Sequence, residues 1–309
     1  MRSTAYHSGM HLEGRYLRAP ESKCPLCFFA GERPAVLRLQ SEPDVFLLAC
    51  PNCGGFSASC LPTEEALRAY YAKYYEQQIY QDVEKVTFHE PQHFARHLVS
   101  NAKRFLKRSD LRILDFGGGD GNLSMSIARL LLRADASRVR IVLVDYNAAL
   151  AHSYSQDISL ECHEDLASAN ATDCDLVLAS SVLEHIPYPQ EDFTRLLSAL
   201  RPGGLFYART PAVAPLFRIL QHIGLPVDFT FPAHVHDMGE AYWSTILGLC
   251  PAPFRDYSVI WSRPSIVETT LRKNALRTLA AYVMKAPWRL LGRRYQLVGG
   301  WEVLIQRPQ

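Results

Sequence analysis

From residue 110 onward the chain alternates between two hydrophobic periods. Short apolar runs at 111–116, 139–145, 158–162, 174–179 and 204–209 read as buried strands. Segments with helical spacing, at about 122–133, 147–155 and 190–200, separate them. A further segment, 92–107, carries Phe94, Leu98, Phe105 and Leu106 near one helical face and leads into the first strand. Strands that alternate with helices predict an α/β fold, a parallel sheet covered on both faces. Two late strands are expected at 255–261 and 301–306. Between them, residues 265–295 interleave Arg and Lys with Leu271, Leu276, Leu279, Val283, Trp288, Leu290 and Leu291, which predicts amphipathic helices broken near Pro287. Upstream, 61–81 reads as a helix with Thr63 as N-cap and Glu64 and Glu65 in its first turn, where the dipole favours acids. The patterns divide the chain into a head (1–60), a tyrosine-rich helical linker (61–90) and a main domain (91–309) bearing the 265–295 insert.

The junction of the first main-domain strand and helix is the most specific segment. In ILDFGGGDGNLS (113–124), an apolar run ends at Asp115, and Gly117, Gly119 and Gly121 alternate before an amphipathic pattern begins. Glycines let a ligand lie against bare backbone, and the helix start adds free N–H groups and partial positive charge. A dinucleotide fingerprint counted from Gly117 would put its third glycine at 122, which is Asn122. The pattern D-x-G-x-G-x-G instead resembles motif I of class I S-adenosylmethionine (SAM) methyltransferases. VRIVLVD (139–145) ends in Asp145 at a distance that suits one strand–helix–strand unit, and an acid at that tip can hold a ribose. DCDLVLASSVLEHIPYP (173–189) and LRPGGLFYART (200–210) look like the family's fourth and fifth strands with their loops.

This resemblance covers roughly 90–309 and implies a doubly wound, Rossmann-like sheet of seven strands, one late strand being antiparallel. It implies SAM as methyl donor. Asp115, Gly117, Gly119 and Gly121 would surround the methionine part and adjoining ribose, and Asp145 would take the ribose hydroxyls. Of Glu164 and Asp165 after the third strand, Asp165 would contact adenine, although Cys162 stands where the family often has Asp. Ser180, with Ser181, would line the wall beneath the sulfonium. A hydroxyl acceptor needs a proton acceptor, most often His. The candidates are His185 in LEHI and His234 and His236 in FPAHVHDMGEAYW. A quinone-precursor O-methyltransferase pattern adds an acid three residues before Glu184 to form a metal site. Here that position is Ser181, which argues against a divalent-metal mechanism.

The head carries Cys24-Pro-Leu-Cys27 and Cys50-Pro-Asn-Cys53, the spacing of a four-cysteine zinc ribbon. Gly54 follows the second pair, whereas Phe28 follows the first. Two disulfides would require an oxidising compartment, and a redox pair would require a thioredoxin-like helix that neither pair precedes. Structural Zn2+ on Cys24, Cys27, Cys50 and Cys53 is the expectation, and Tyr75 or Tyr80 of the linker could reach the cofactor or acceptor. A zinc head, tyrosine-rich linker and SAM domain resemble the plan of bacterial methyltransferases acting on sugars and natural products.

Charge and composition narrow the partners. The hydrophobic content of 48% and charged content of 21% are those of a globular protein. The first residues lack the apolar core of a signal peptide, so a cytoplasmic protein is expected. The net charge of +2 does not suggest nucleic acid. From Arg255 onward, however, ten Lys/Arg face three acids. That basic tail suits an acidic acceptor, such as a phosphorylated glycan precursor, or a peripheral membrane contact through 265–295. The expected function is methyl transfer to a small-molecule or glycan-precursor acceptor. Two alternatives are an RNA methyltransferase whose zinc head holds RNA and a catalytically silent SAM-fold scaffold.

Overall fold

The computed structural model describes residues 8–76, 91–145, 156–267 and 274–309. The expected helix at 147–155, Tyr80 and the side chain of Tyr75 lie outside the described residues. In the head, β1 (Ala35–Gln40), β2 (Val45–Ala49) and β3 (Phe56–Ala58) form an antiparallel meander. Helix Glu64–Glu76 follows, its Thr63 Oγ1 accepting from the Ala66 amide at 3.2 Å as an N-cap should.

The main sheet begins with β4 (Asp110–Phe116), β5 (Arg138–Val144), β6 (Ile158–His163), β7 (Cys174–Ser180) and β8 (Leu200–Ala212), all parallel. After a two-residue strand, β9 (His236–Asp237), come β10 (Ser258–Pro264) and β11 (Gly299–Gln306). The sheet order is β10-β11-β8-β7-β4-β5-β6, with β11 antiparallel to both of its neighbours. This is the expected doubly wound, seven-stranded Rossmann-like sheet. Chain order reverses between β4 and β7, so a crevice opens beyond their carboxyl ends, where ligands bind in such sheets.

Strand alternation sorts the core into two layers. Ile113, Leu176, Leu178, Leu205, Tyr207 and Leu304 face helices Pro91–Ala102 and Asn122–Ala134. Leu114, Val177, Ala179, Phe206, Val303 and Ile305 face helices Pro189–Ser198 and Glu240–Leu249. The helix expected over 92–107 stops at Ala102. Ser100 Oγ and Asn101 Nδ2 both donate to the His97 carbonyl, at 2.8 and 2.6 Å, competing with the backbone ladder at that end. The tenth strand begins three residues later than expected because Ala252–Arg255 closes a helical turn first.

The head is joined to this domain by pairing as well as by sequence. β9 adds a fourth strand to the small sheet, with Phe56 opposite Asp237 and Ser57 opposite His236. Cys24, Leu26, Cys50 and Cys53 share one core with Met238, Tyr242 and Trp243.

Candidate functional site

The turn after β4 sits at the crevice. Gly117, Gly119 and Gly121 have φ of 68°, 58° and 75°, a left-handed sequence that side chains with Cβ resist. A Cβ on Gly117 would stand 2.4 Å from Val182 Cγ2, which packs the turn against the loop after β7. At Gly119 a Cβ would meet nothing within 4 Å, so this side of the turn is open. Gly121 is the N-cap residue of helix Asn122–Ala134.

Three carboxylates gather around the turn. Asp115 is buried, and its Oδ2 has no hydrogen-bond partner. Burial first, with the nearby charges of Asp145 and Asp120 adding to it, pushes the Asp115 carboxyl up to about 6 despite help from Ser124. Asp145 follows β5, and its Oδ2 accepts the Gly119 amide at 2.8 Å. Burial also raises Asp120, whose Oδ1 accepts from the Asn122 amide at 3.1 Å. Asp115 Oδ2 is thus an unfilled acceptor beside open backbone, an arrangement that a cation with N–H donors could use. The remaining expected contacts have defined places. Asp165 is the N-cap of the short helix Leu166–Ala169, accepting from the Ser168 amide at 2.7 Å, which holds its carboxyl below the usual range. Ser180 ends β7 opposite Arg209.

The loop after β7 carries the second group. Ser181 adopts φ 60°, and its Oγ accepts from Arg209 Nη2 at 2.8 Å; the same guanidinium lies 4.5 Å over the Phe94 ring. Glu184 is buried and its Oε2 has no partner. Burial pushes this carboxyl up to about 8, although Arg209 opposes the shift. The His185 ring lies 4.7 Å from that of His234, and His185 Nδ1 is 2.9 Å from the Ala233 carbonyl and 3.2 Å from the Tyr71 hydroxyl. Burial lowers His185 to about 4, keeping the imidazole neutral. One donor atom from each of Glu184, His185 and His234 lies within 4.8 Å of the others, a set that a proton or a divalent ion could use. Thus His234, from a distant loop, supplies a third donor where the sequence pattern had placed only Ser181.

His236 has a different environment. Its Nδ1 lies 3.0 Å from Ser57 Oγ, and its Nε2 lies 2.9 and 3.1 Å from the Ile186 and Pro187 carbonyls. The fully buried ring therefore ties β3 and β9 to the loop after β7. Arg209 and Tyr71 escaped the sequence reading as site residues, and Glu184 entered it only through the metal pattern that Ser181 interrupts. The only local signal was an acid preceding His in LEH.

The head holds a third group. Cys24 Sγ is 3.9 Å from Cys53 Sγ, Cys27 Sγ is 3.6 Å from Cys50 Sγ, and all four sulfurs lie within 4.8 Å of one another. Sulfurs bound tetrahedrally at about 2.3 Å from zinc stand about 3.8 Å apart, so the set fits a closed zinc site. The two knuckles share one backbone plan. The Phe28 amide donates to the Cys24 carbonyl at 2.8 Å and the Gly54 amide to the Cys50 carbonyl at 2.9 Å. Phe28 takes φ 59° and Gly54 φ 69°.

A family profile described as "Methyltransferase domain" matches residues 89–246, just over half of the chain. The ubiquinone biosynthesis O-methyltransferase of Parvibaculum lavamentivorans is 36% identical over 117 residues, covering 37% of this chain and 46% of that protein. Its counterpart from Xanthomonas axonopodis pv. citri is 34% identical over 119 residues, covering 36% and 49%. The chain spans about half the length of the curated relatives it matches. Among solved structures, the plantazolicin methyltransferase BamL with a triazolic desmethylPZN analog and SAH aligns over 76% of this chain and 93% of that one, at 12% identity and a TM-score of 0.49.

Proposed function

Because this chain belongs to the methyltransferase-domain family, of the class I SAM-dependent kind, we propose that it transfers a methyl group to a hydroxyl of a small-molecule or glycan-precursor acceptor. The observation that carries this reading is the enclosed, unpartnered Asp115 Oδ2 beside the left-handed glycine turn. Asp115 would receive the ammonium of the donor's methionine part, and Gly117, Gly119 and Gly121 would let donor atoms approach the backbone. Asp145 would exchange its Gly119 contact for, or share it with, the ribose hydroxyls. Asp165 would border the adenine and Ser180 the wall below the sulfonium.

When bound, SAM supplies a methyl group already attached to a good leaving group. The protein's work is alignment, exclusion of water and removal of the acceptor proton. We assign that removal to the Glu184–His185–His234 group. A carboxyl held near 8 is a strong base once ionised, and Arg209 beside it stabilises the ionised form. His185 and His234 would orient the acceptor hydroxyl. The same donors support a second reading, a divalent ion on Glu184, His185 and His234 that would polarise the hydroxyl. The four head cysteines would hold a structural zinc, supplying much of the folding free energy of a head with little core of its own.

Transfer of a labelled methyl group to a panel of phenols, sugars and nucleotide-sugars tests the proposal. Glu184→Gln should lower kcat by about 10²–10⁴-fold and leave SAH affinity unchanged. For the parent, kcat/KM should rise with pH toward about 8, because the ionised carboxyl is the active form. Chelation mild enough to leave the head's zinc in place separates the two readings: a base survives it, whereas a metal site loses activity that added Mg2+ or Mn2+ restores. A folded protein that binds SAH but methylates no member of the panel would contradict the small-molecule reading.

A further inference from the structure

The insert between β10 and β11 presents a surface that the methyl-transfer reading does not use. Its inner side is firmly docked. Thr278 is buried, the Trp288 ring packs edge-on against Trp301 at 5.9 Å, and Arg293 Nε pairs with Glu240 at 2.8 Å. Its outer side is apolar and open to solvent. Leu276 is 84% exposed and Leu290 90%, with Leu279, Val283 and Leu291 also more than half exposed. Of the thirteen large apolar side chains exposed among the described residues, six fall within 276–291. Leu276, Leu279 and Val283 follow i, i+3, i+7 spacing on helix Ala275–Lys285, so they form a stripe rather than scattered exceptions.

The charge around this stripe decides its occupant. In sequence, residues 269–298 carry seven Lys/Arg and no acid; Arg293 pairs with Glu240 and Lys285 donates to Ser265, while Arg289 and Arg294 are exposed beside the stripe. A second copy meeting the same face about a twofold axis would set like charges against each other. A layer with an apolar interior and an anionic surface satisfies both leucines and arginines. Helix Ala275–Lys285 is too short to span a bilayer, and no helix among the described residues is long and apolar enough to do so. It suits lying in the interface plane. Position supports the same partner. β10 runs parallel to β4 through β8, so the insert leaves the sheet at the carboxyl edge, the side of the glycine turn.

We infer that the 274–294 insert seats this protein on an anionic lipid surface, with the crevice mouth turned toward the bilayer. A consequence, that the acceptor is drawn from the membrane, rests on the methyltransferase reading; the lipid contact does not. The test is co-sedimentation of the full, zinc-loaded chain with vesicles of phosphatidylglycerol and phosphatidylcholine. With about one-third anionic lipid, the partition constant should exceed that on pure phosphatidylcholine by about tenfold and fall in about 0.5 M salt. The double substitution Leu276→Ser with Leu290→Ser should lower it about tenfold, since both side chains enter the acyl boundary. SAH affinity should be unchanged, which shows that the variant is folded. Equal partition on both vesicle types would overturn the inference, as would a variant that partitions like its parent. A concentration-dependent dimer that the variant abolishes would assign the face to a second copy instead. Vesicle binding without SAH binding would leave the lipid surface standing and remove the methyltransferase reading.

Discussion

Asp115 shows how a single residue couples sequence motif to chemistry. Its position before three alternating glycines was legible because a strand, a left-handed turn and a helix start are local events. Its ionisation was not, since that depends on how completely the crevice closes around it. An acid raised to about 6 from 3.8 contributes stability that is fully present below the unfolded value and is lost as pH rises through 6. A bound ammonium reverses the preference by favouring the carboxylate. SAH affinity should therefore weaken below pH 6, by at most about tenfold per unit, and Asp115→Asn should abolish both this dependence and much of the affinity. Calorimetric titration across pH 5–8 reads both effects; a flat profile in the parent would remove Asp115 from the site. Phe28 illustrates what residue types hide. Nothing in a phenylalanine announces a positive φ, yet the knuckle places it at 59° with its ring half exposed. Left-handed backbone costs a residue with Cβ about 1–2 kcal/mol, part of which glycine's larger unfolded-state entropy offsets. Phe28→Gly should thus stabilise the zinc-loaded protein by about 0.5–1 kcal/mol in denaturant unfolding. Gly54→Phe should do the reverse, because a Cβ there would meet Ala241 Cβ at 2.5 Å.

Among elements, the buried strands were readable because each carries its own apolar run. β9 was not, since two residues make no period, and it exists only because β3 offers an edge. For the same reason the meeting of His234 with Glu184 and His185 could not be seen: it depends on the path of the 228–237 segment across the sheet, not on spacing. The join between β11 and helix Pro91–Ala102 is another such event. Buried Glu302 accepts from His97 Nε2 and Arg263 Nε, each at 2.9 Å, and from the Tyr207 hydroxyl at 3.1 Å. Burial opposes its charge, but His97 and Arg263 outweigh this and hold the carboxyl below its ordinary value. Its contribution is therefore present above about pH 4.5 and lost as pH falls through the lowered value. Glu302→Ala should cost about 2–4 kcal/mol at neutral pH, somewhat less than a sealed pair because Arg263 and His97 reach solvent. Urea midpoints followed from pH 7 down through the acid range, past the lowered value, test this; a loss that does not shrink at the acid end would contradict the ionic reading.

At the scale of the whole molecule, the head and main domain are one piece of architecture. The cysteine knuckles rest on helix Glu240–Leu249, where the Thr245 hydroxyl donates to the Cys53 carbonyl at 2.9 Å, and that helix follows the strand completing the head's sheet. Composition and charge could point to a metal-bearing head and a basic insert, but not to this sharing of a core, which arises from contacts between segments far apart in sequence. We propose that the crevice between β4 and β7 holds a SAM-type ligand. The most direct measurement is calorimetric titration of SAH into the zinc-loaded protein, with Asp145→Ala as comparison. One site per chain with micromolar affinity is expected, weakened by at least about tenfold when the acid that would take the two ribose hydroxyls is removed. No heat of binding in folded, zinc-loaded protein, or equal affinity in the Asp145 variant, would contradict it.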